Sequence, residues 1–171
     1  MDTAAVSAGE RPAVDEPGLV WGSWLMIIAA IGFIGYAILF FVRDLSGGFL
    51  ELGIGPNEVN VGKTQIEQFS PSLYAYISHL QIALSGFIAA VGIAVIFLTL
   101  FGVRRGMLWA WVGAVVAPVF ALAVALPDHY VHDHHFDTMG HLGLIYLAVV
   151  IFTVGAVLAL IPLWKDRSES G

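Results

Sequence analysis

Six histidines, His79, His129, His132, His134, His135 and His141, are the residues of this chain best suited to chemistry. Four of them fall in one short acidic segment, Pro127-Asp-His-Tyr-Val-His-Asp-His-His-Phe-Asp137. Imidazole together with carboxylate suits zinc, copper, nickel or iron, and neutral imidazole, the ligating form, is available near pH 7. The spacing His129-x-x-His132-x-His134-His135 is no recognised zinc signature, so ligand directions do not follow from it. A solvated histidine-rich loop is the plain alternative to a metal site.

His79 and His141 suggest a second arrangement. Each opens an apolar segment, in Ser78-His79-Leu80 and Gly140-His141-Leu142, and each shares a helix side with small residues: Ala83, Gly86, Ala90 and Ala94, or Ala148 and Gly155. Both rings are therefore expected to face helix neighbours, where they would serve as axial ligands of a haem b used in electron transfer. Against it, haem propionates favour nearby cations, and this side of the chain offers only Arg43 and Lys63.

Catalysis has less support. The pair His134-His135 resembles the histidine boxes of membrane di-iron desaturases and hydroxylases, but those families distribute several boxes along the chain and face them to the cytoplasm. Here there is one compact group. No Ser-His-Asp order, phosphate-binding glycine loop or paired intramembrane carboxylate points to another reaction class. Ion-coupled transport by a single copy would call for ionisable groups near mid-membrane, and none is expected there.

The elements that must position these histidines follow from the distribution of charge. Hydrophobic residues make up 58% of the 171, and Leu19–Val42, Ser72–Val103, Met107–Leu126 and Met139–Trp164 contain no Asp, Glu, Lys or Arg. Each stretch supplies the roughly 20 residues needed to cross about 30 Å of hydrocarbon as a helix. A soluble bundle would need a charged face at helical period, which all four lack. The expected fold is an all-α, four-span transmembrane helix bundle with spans at 19–42, 72–103, 107–126 and 139–164. Residues 1–18 and 165–171 are expected to be disordered cytoplasmic ends. The outer loops are then 43–71 and 127–138, the first with turns and a short interfacial helix.

Cysteine is absent, which excludes disulfides and thiolate metal sites within the chain. A net charge of −6 without a Lys/Arg cluster gives no reason to expect nucleic acid. Arg11, Arg104, Arg105, Lys165 and Arg167 fall on one side and only Arg43 and Lys63 on the other, which predicts cytoplasmic termini and histidines outside, in the plasma membrane of a prokaryote. Trp21, Trp24, Trp109, Trp111 and Trp164 all fall on the inner side and are expected to form an interfacial belt.

Gly32 and Gly35, Gly86/Ala90/Ala94, Gly113/Ala117/Ala121/Ala125, and Ala148/Gly155/Ala159 are the predicted helix contact faces, and Pro118 a predicted kink. The Trp-rich starts of spans one and three and the His-Leu starts of spans two and four suggest two repeated hairpins. The expected function is that of a small, non-catalytic polytopic membrane protein with an outward histidine cluster for a transition metal. The alternatives are a cofactor-free structural or assembly subunit of a membrane complex, and the haem b protein. The expected partners are the bilayer and a homo-oligomer or larger complex.

Overall fold

A computed structural model describes residues 16–46, 54, 56–131 and 139–169. Every regular element among them is helical: α1 (Pro17–Leu45), α2 (Pro56–Val59), α3 (Lys63–Phe69), α4 (Pro71–Phe101), a 3₁₀ turn (Val103–Arg105), α5 (Leu108–Ala125), α6 (Asp128–Val131) and α7 (Met139–Glu169). Four of them, α1, α4, α5 and α7, are long and apolar enough to cross a membrane.

Large apolar side chains lie on the outside of all four, among them Ile28, Ile31, Phe87, Phe97, Val116, Phe120, Val150 and Ile161. A water-soluble protein could not keep so much contiguous apolar surface exposed, so lipid is the solvent of this bundle and the chain is an integral membrane protein.

Helix α1 is the hub. It packs along its length against both α4 and α7, whereas among the described residues α4 and α7 share no extended interface. Small residues explain the closeness on both sides. At the α1–α7 crossing, a Cβ on Gly22 would lie 2.6 Å from the Gly155 carbonyl oxygen, and one on Gly155 would lie 2.7 Å from the Gly22 oxygen. Toward α4, a Cβ on Gly92 would meet the Ala30 carbonyl oxygen at 3.0 Å. Lipid tails give helices no hydrophobic reason to associate, and such close backbone packing takes its place.

Helix α5 is held at one end. Its buried residues, Ala110, Ala114 and Pro118, lie in its first three turns, and Gly102 packs against Ala110 where the chain turns back from α4. The turn closes on Gly106, whose φ of 78° is costly for any residue with a Cβ. The Arg104 guanidinium lies over the Trp24 ring, 5.5 Å from its centroid, which ties the turn to α1.

The contact faces differ from those expected. On α4 the buried positions are Ser85, Gly92, Val95 and Thr99, while Gly86, Ala90 and Ala94 lie outside. On α5 the expected stripe at Ala117, Ala121 and Ala125 is also outside, with Gly113 only half-buried, and on α1 nothing approaches Gly32 or Gly35. On α7, Ala148, Gly155 and Ala159 are buried as expected. Both α4 and α5 carry two small-residue faces, and the one used on α4 repeats every seven residues, the period of near-antiparallel helix packing.

The two hairpins do not pack alike, since α1 and α4 are closely paired and α5 and α7 only lightly. Helix α5 continues unbroken through Pro118. Residues 165–169, expected to be disordered, continue α7, and Pro17 and Gly18 already belong to α1; residues 1–15 lie outside the described set. Before α4, Ser70 accepts a hydrogen bond from the Leu73 amide at 3.2 Å and Pro71 fills the first helical position. Replacing Ser70 by alanine is expected to cost about 1 kcal/mol, read as a lower thermal midpoint in detergent.

Candidate functional site

The start of α4, the end of α5 with α6, and the start of α7 all lie at one end of the bundle, opposite the end that carries Trp21, Trp24, Trp109 and Trp164. This histidine end therefore holds positions 79, 129 and 141. His79 is on the outside of α4, not turned to a helix neighbour as expected, and the small residues that share its side, Gly86, Ala90 and Ala94, are outside with it. His129 is half-buried in α6, its Nδ1 3.2 Å from the Ala125 carbonyl oxygen, a contact that requires the proton on Nδ1. His141 is the third residue of α7. His132, His134 and His135 lie outside the described residues, as do Asp133 and Asp137.

Among the described residues, no three His, Asp or Glu side chains converge as metal ligands would. The Tyr130 and Tyr146 hydroxyls hydrogen-bond, which ties α6 to α7. Helix α1 stands between α4 and α7, so the helices carrying His79 and His141 flank a common neighbour; facing each other directly is what haem ligation would ask of them.

One polar group at this end was not legible as a site residue: Asp44, in the last turn of α1, is only 4% exposed. Its Oδ2 accepts a hydrogen bond from the Ser78 hydroxyl at 2.6 Å, so α4 turns Ser78 inward and the adjacent His79 outward. Its Oδ1 is buried without a hydrogen-bond partner among the described residues, and so is Oε1 of Gln81, one turn further along α4. The signal available in the sequence was weak: a carboxylate two residues past a charge-free span, at the helix end whose dipole repels it.

The nearest lysine, Lys63 at the start of α3, turns its ammonium over the Tyr74 ring, 5.2 Å from the centroid. The hydrogen bond with Tyr74, and then the charges of Tyr74, Glu67 and Asp44, hold its pKa above the usual lysine value against the opposing effect of desolvation. Lys63 therefore stays charged without sitting on the Asp44 carboxylate.

At the opposite end, Trp21, Trp24, Trp109 and Trp164 are exposed as an interfacial belt requires. Trp111 departs from it. It is partly buried against the core, and its indole N–H donates to the Ala156 carbonyl of α7 at 2.9 Å.

Compared with known proteins, the chain matches no family model, no curated protein sequence and no solved structure.

Proposed function

We propose that this chain is a non-catalytic membrane component that holds a transition-metal ion at its histidine end. His129, His132, His134 and His135 supply the imidazoles, with His79 and His141 at the margin of the site. The observation that carries this reading is His129, whose Nδ1–H is given to the Ala125 carbonyl. Ligating histidines are commonly oriented by a backbone carbonyl in this way. The helix order adds support, because it brings positions 79 and 141 to the same end. The Lys and Arg distribution favours cytoplasmic termini and an outward histidine end in a prokaryotic plasma membrane.

The test is metal content. Protein purified in mild detergent without a histidine tag, and loaded in turn with zinc, copper, nickel and iron(II), is expected to retain about one ion of the preferred metal per chain after desalting. Replacing His132, His134 and His135 together by alanine is expected to bring retention to background. Wild-type protein that retains none of the four after loading sinks the reading.

A second reading, an assembly subunit without a cofactor, is favoured by the small-residue strips Gly86/Ala90/Ala94 and Ala117/Ala121/Ala125, which lie on the outside of the bundle. Such strips suit close approach of another transmembrane helix. On this reading the particle mass in a lipid nanodisc exceeds that of one chain, and Gly86→Leu with Ala90→Leu returns it to one chain. A single-chain mass for the wild type removes a second copy of this chain as the occupant of these strips.

A further inference from the structure

Four buried polar atoms lack a hydrogen-bond partner among the described residues: Ser23 Oγ, Thr99 Oγ1, Asp44 Oδ1 and Gln81 Oε1. The first two are hydroxyls, which can rotate and donate to a carbonyl one turn back in their own helix. The antiparallel register that pairs Asp44 with Ser78 and Ala30 with Gly92 also sets Ser23 opposite Thr99, so each has a second possible partner. The other two atoms are different in kind. A carboxylate oxygen and an amide oxygen can only accept, and neither can satisfy the other.

Asp44 lies in the α1–α4 interface at the histidine end, where it meets Ser78, and Gln81 lies one turn further along α4 with its Oε1 buried. Gln81 follows Ser78 by three residues, a rise of about 4.5 Å on the same helix side. Asp44 also sits where the backbone carbonyls at the end of α1 concentrate partial negative charge. A buried carboxylate at that position calls for positive charge. Lys63, the nearest lysine, lies over the Tyr74 ring, and the adjacent Arg43 makes no hydrogen bond to Oδ1.

We propose that Asp44, Ser78 and Gln81 form an oxygen-lined site for a monovalent alkali cation in the α1–α4 interface, separate from the imidazole site. Oxygen donors select hard cations over the softer metals that imidazole takes. A single carboxylate fixes the charge, because a divalent ion would leave one uncompensated positive charge in a low-dielectric interface. Ser78 donates its proton to Oδ2 and turns a lone pair of Oγ to the ion, Asp44 supplies Oδ1, and Gln81 supplies Oε1.

The experiment is thermal unfolding of the full chain in detergent with EDTA present, so that transition metals make no contribution, in NaCl, KCl or choline chloride at equal ionic strength. The wild-type midpoint is expected to rise in NaCl or KCl over choline chloride, by roughly 3–6 °C when the salt exceeds its dissociation constant about tenfold. Asp44→Asn, which keeps the shape and removes the charge, is expected to abolish the difference. Gln81→Leu should raise the half-saturating salt concentration, and Lys63→Met, which removes a nearby positive charge, should lower it.

A wild-type midpoint equal in all three salts overturns the proposal and leaves the Gln81 amide, turned over to present its N–H, as the donor to Asp44. An ion response that survives Asp44→Asn overturns it too. Should that variant fail to fold, the other two decide: half-saturation unchanged in both Gln81→Leu and Lys63→Met rejects the site.

Discussion

Valine in place of Gly155 is expected to separate α7 from α1 and to cost about 3 kcal/mol, a fall of roughly 6–12 °C in the thermal midpoint. A Cβ at this position meets backbone as well as side chain: the Gly22 carbonyl oxygen at 2.7 Å, and the Met26 nitrogen and Leu25 Cβ each at 2.8 Å. Backbone of a packed helix cannot step aside as a side chain can, so the whole of α7 must move. Gly22→Val is expected to act alike, because its Cβ would meet the Gly155 oxygen from the other side. Gly32→Val and Gly35→Val are the controls, with nothing within 4 Å of either added carbon. A midpoint for Gly155→Val within one degree of the control variants would show that the α1–α7 crossing is not where the bundle is held.

The second large effect concerns α5, whose buried residues lie in its first three turns. Trp111→Phe keeps an aromatic ring in the core but removes the N–H that reaches the Ala156 carbonyl, together with part of the indole's packing. Interhelical hydrogen bonds in lipid contribute about 0.6–1.7 kcal/mol, a large share for a helix so lightly attached. The chain has no cysteine, which allows a single reporter thiol. A cysteine at position 114, buried in the wild type, is expected to react with maleimide several-fold faster when Trp111→Phe is present. Equal labelling rates would mean that packing by Ala110 and Ala114 holds α5 without the indole.

The four spans were legible because a charge-free run of 20 or more residues has one stable form in lipid, and the runs beginning at Leu19, Ser72, Met107 and Met139 each lie on a long helix. Which side of each helix packs was not legible. On α4, Gly86/Ala90/Ala94 and Ser85/Gly92/Thr99 are both rows of small residues, and their difference is expressed only when a partner's contour is present. Ala30 and Ile34 of α1 supply that contour around Gly92. Trp109 and Trp111 pose the same difficulty: two residues apart, they point to nearly opposite sides of α5, and composition alone marks both as interfacial.

The histidine end was legible as a location, since helix order alone carries positions 79, 129 and 141 there. The direction of a ring was not. His79 faces outward because Ser78, its neighbour, is drawn inward by Asp44. Asp44 itself is not legible in the sequence because a carboxylate just beyond a span is usually solvated, and only the arrival of α4 against the end of α1 buries it.

The central place of α1 also bears on biosynthesis. Spans enter the bilayer in the order of translation and then associate laterally. Helix α1 finds one of its two main partners, α4, soon after it enters, but waits for α7 before its Gly22 side is covered. Until α7 has entered, α1 presents a bare glycine notch. Truncation before α7 would expose that notch to whatever else inserts nearby, including quality-control proteases.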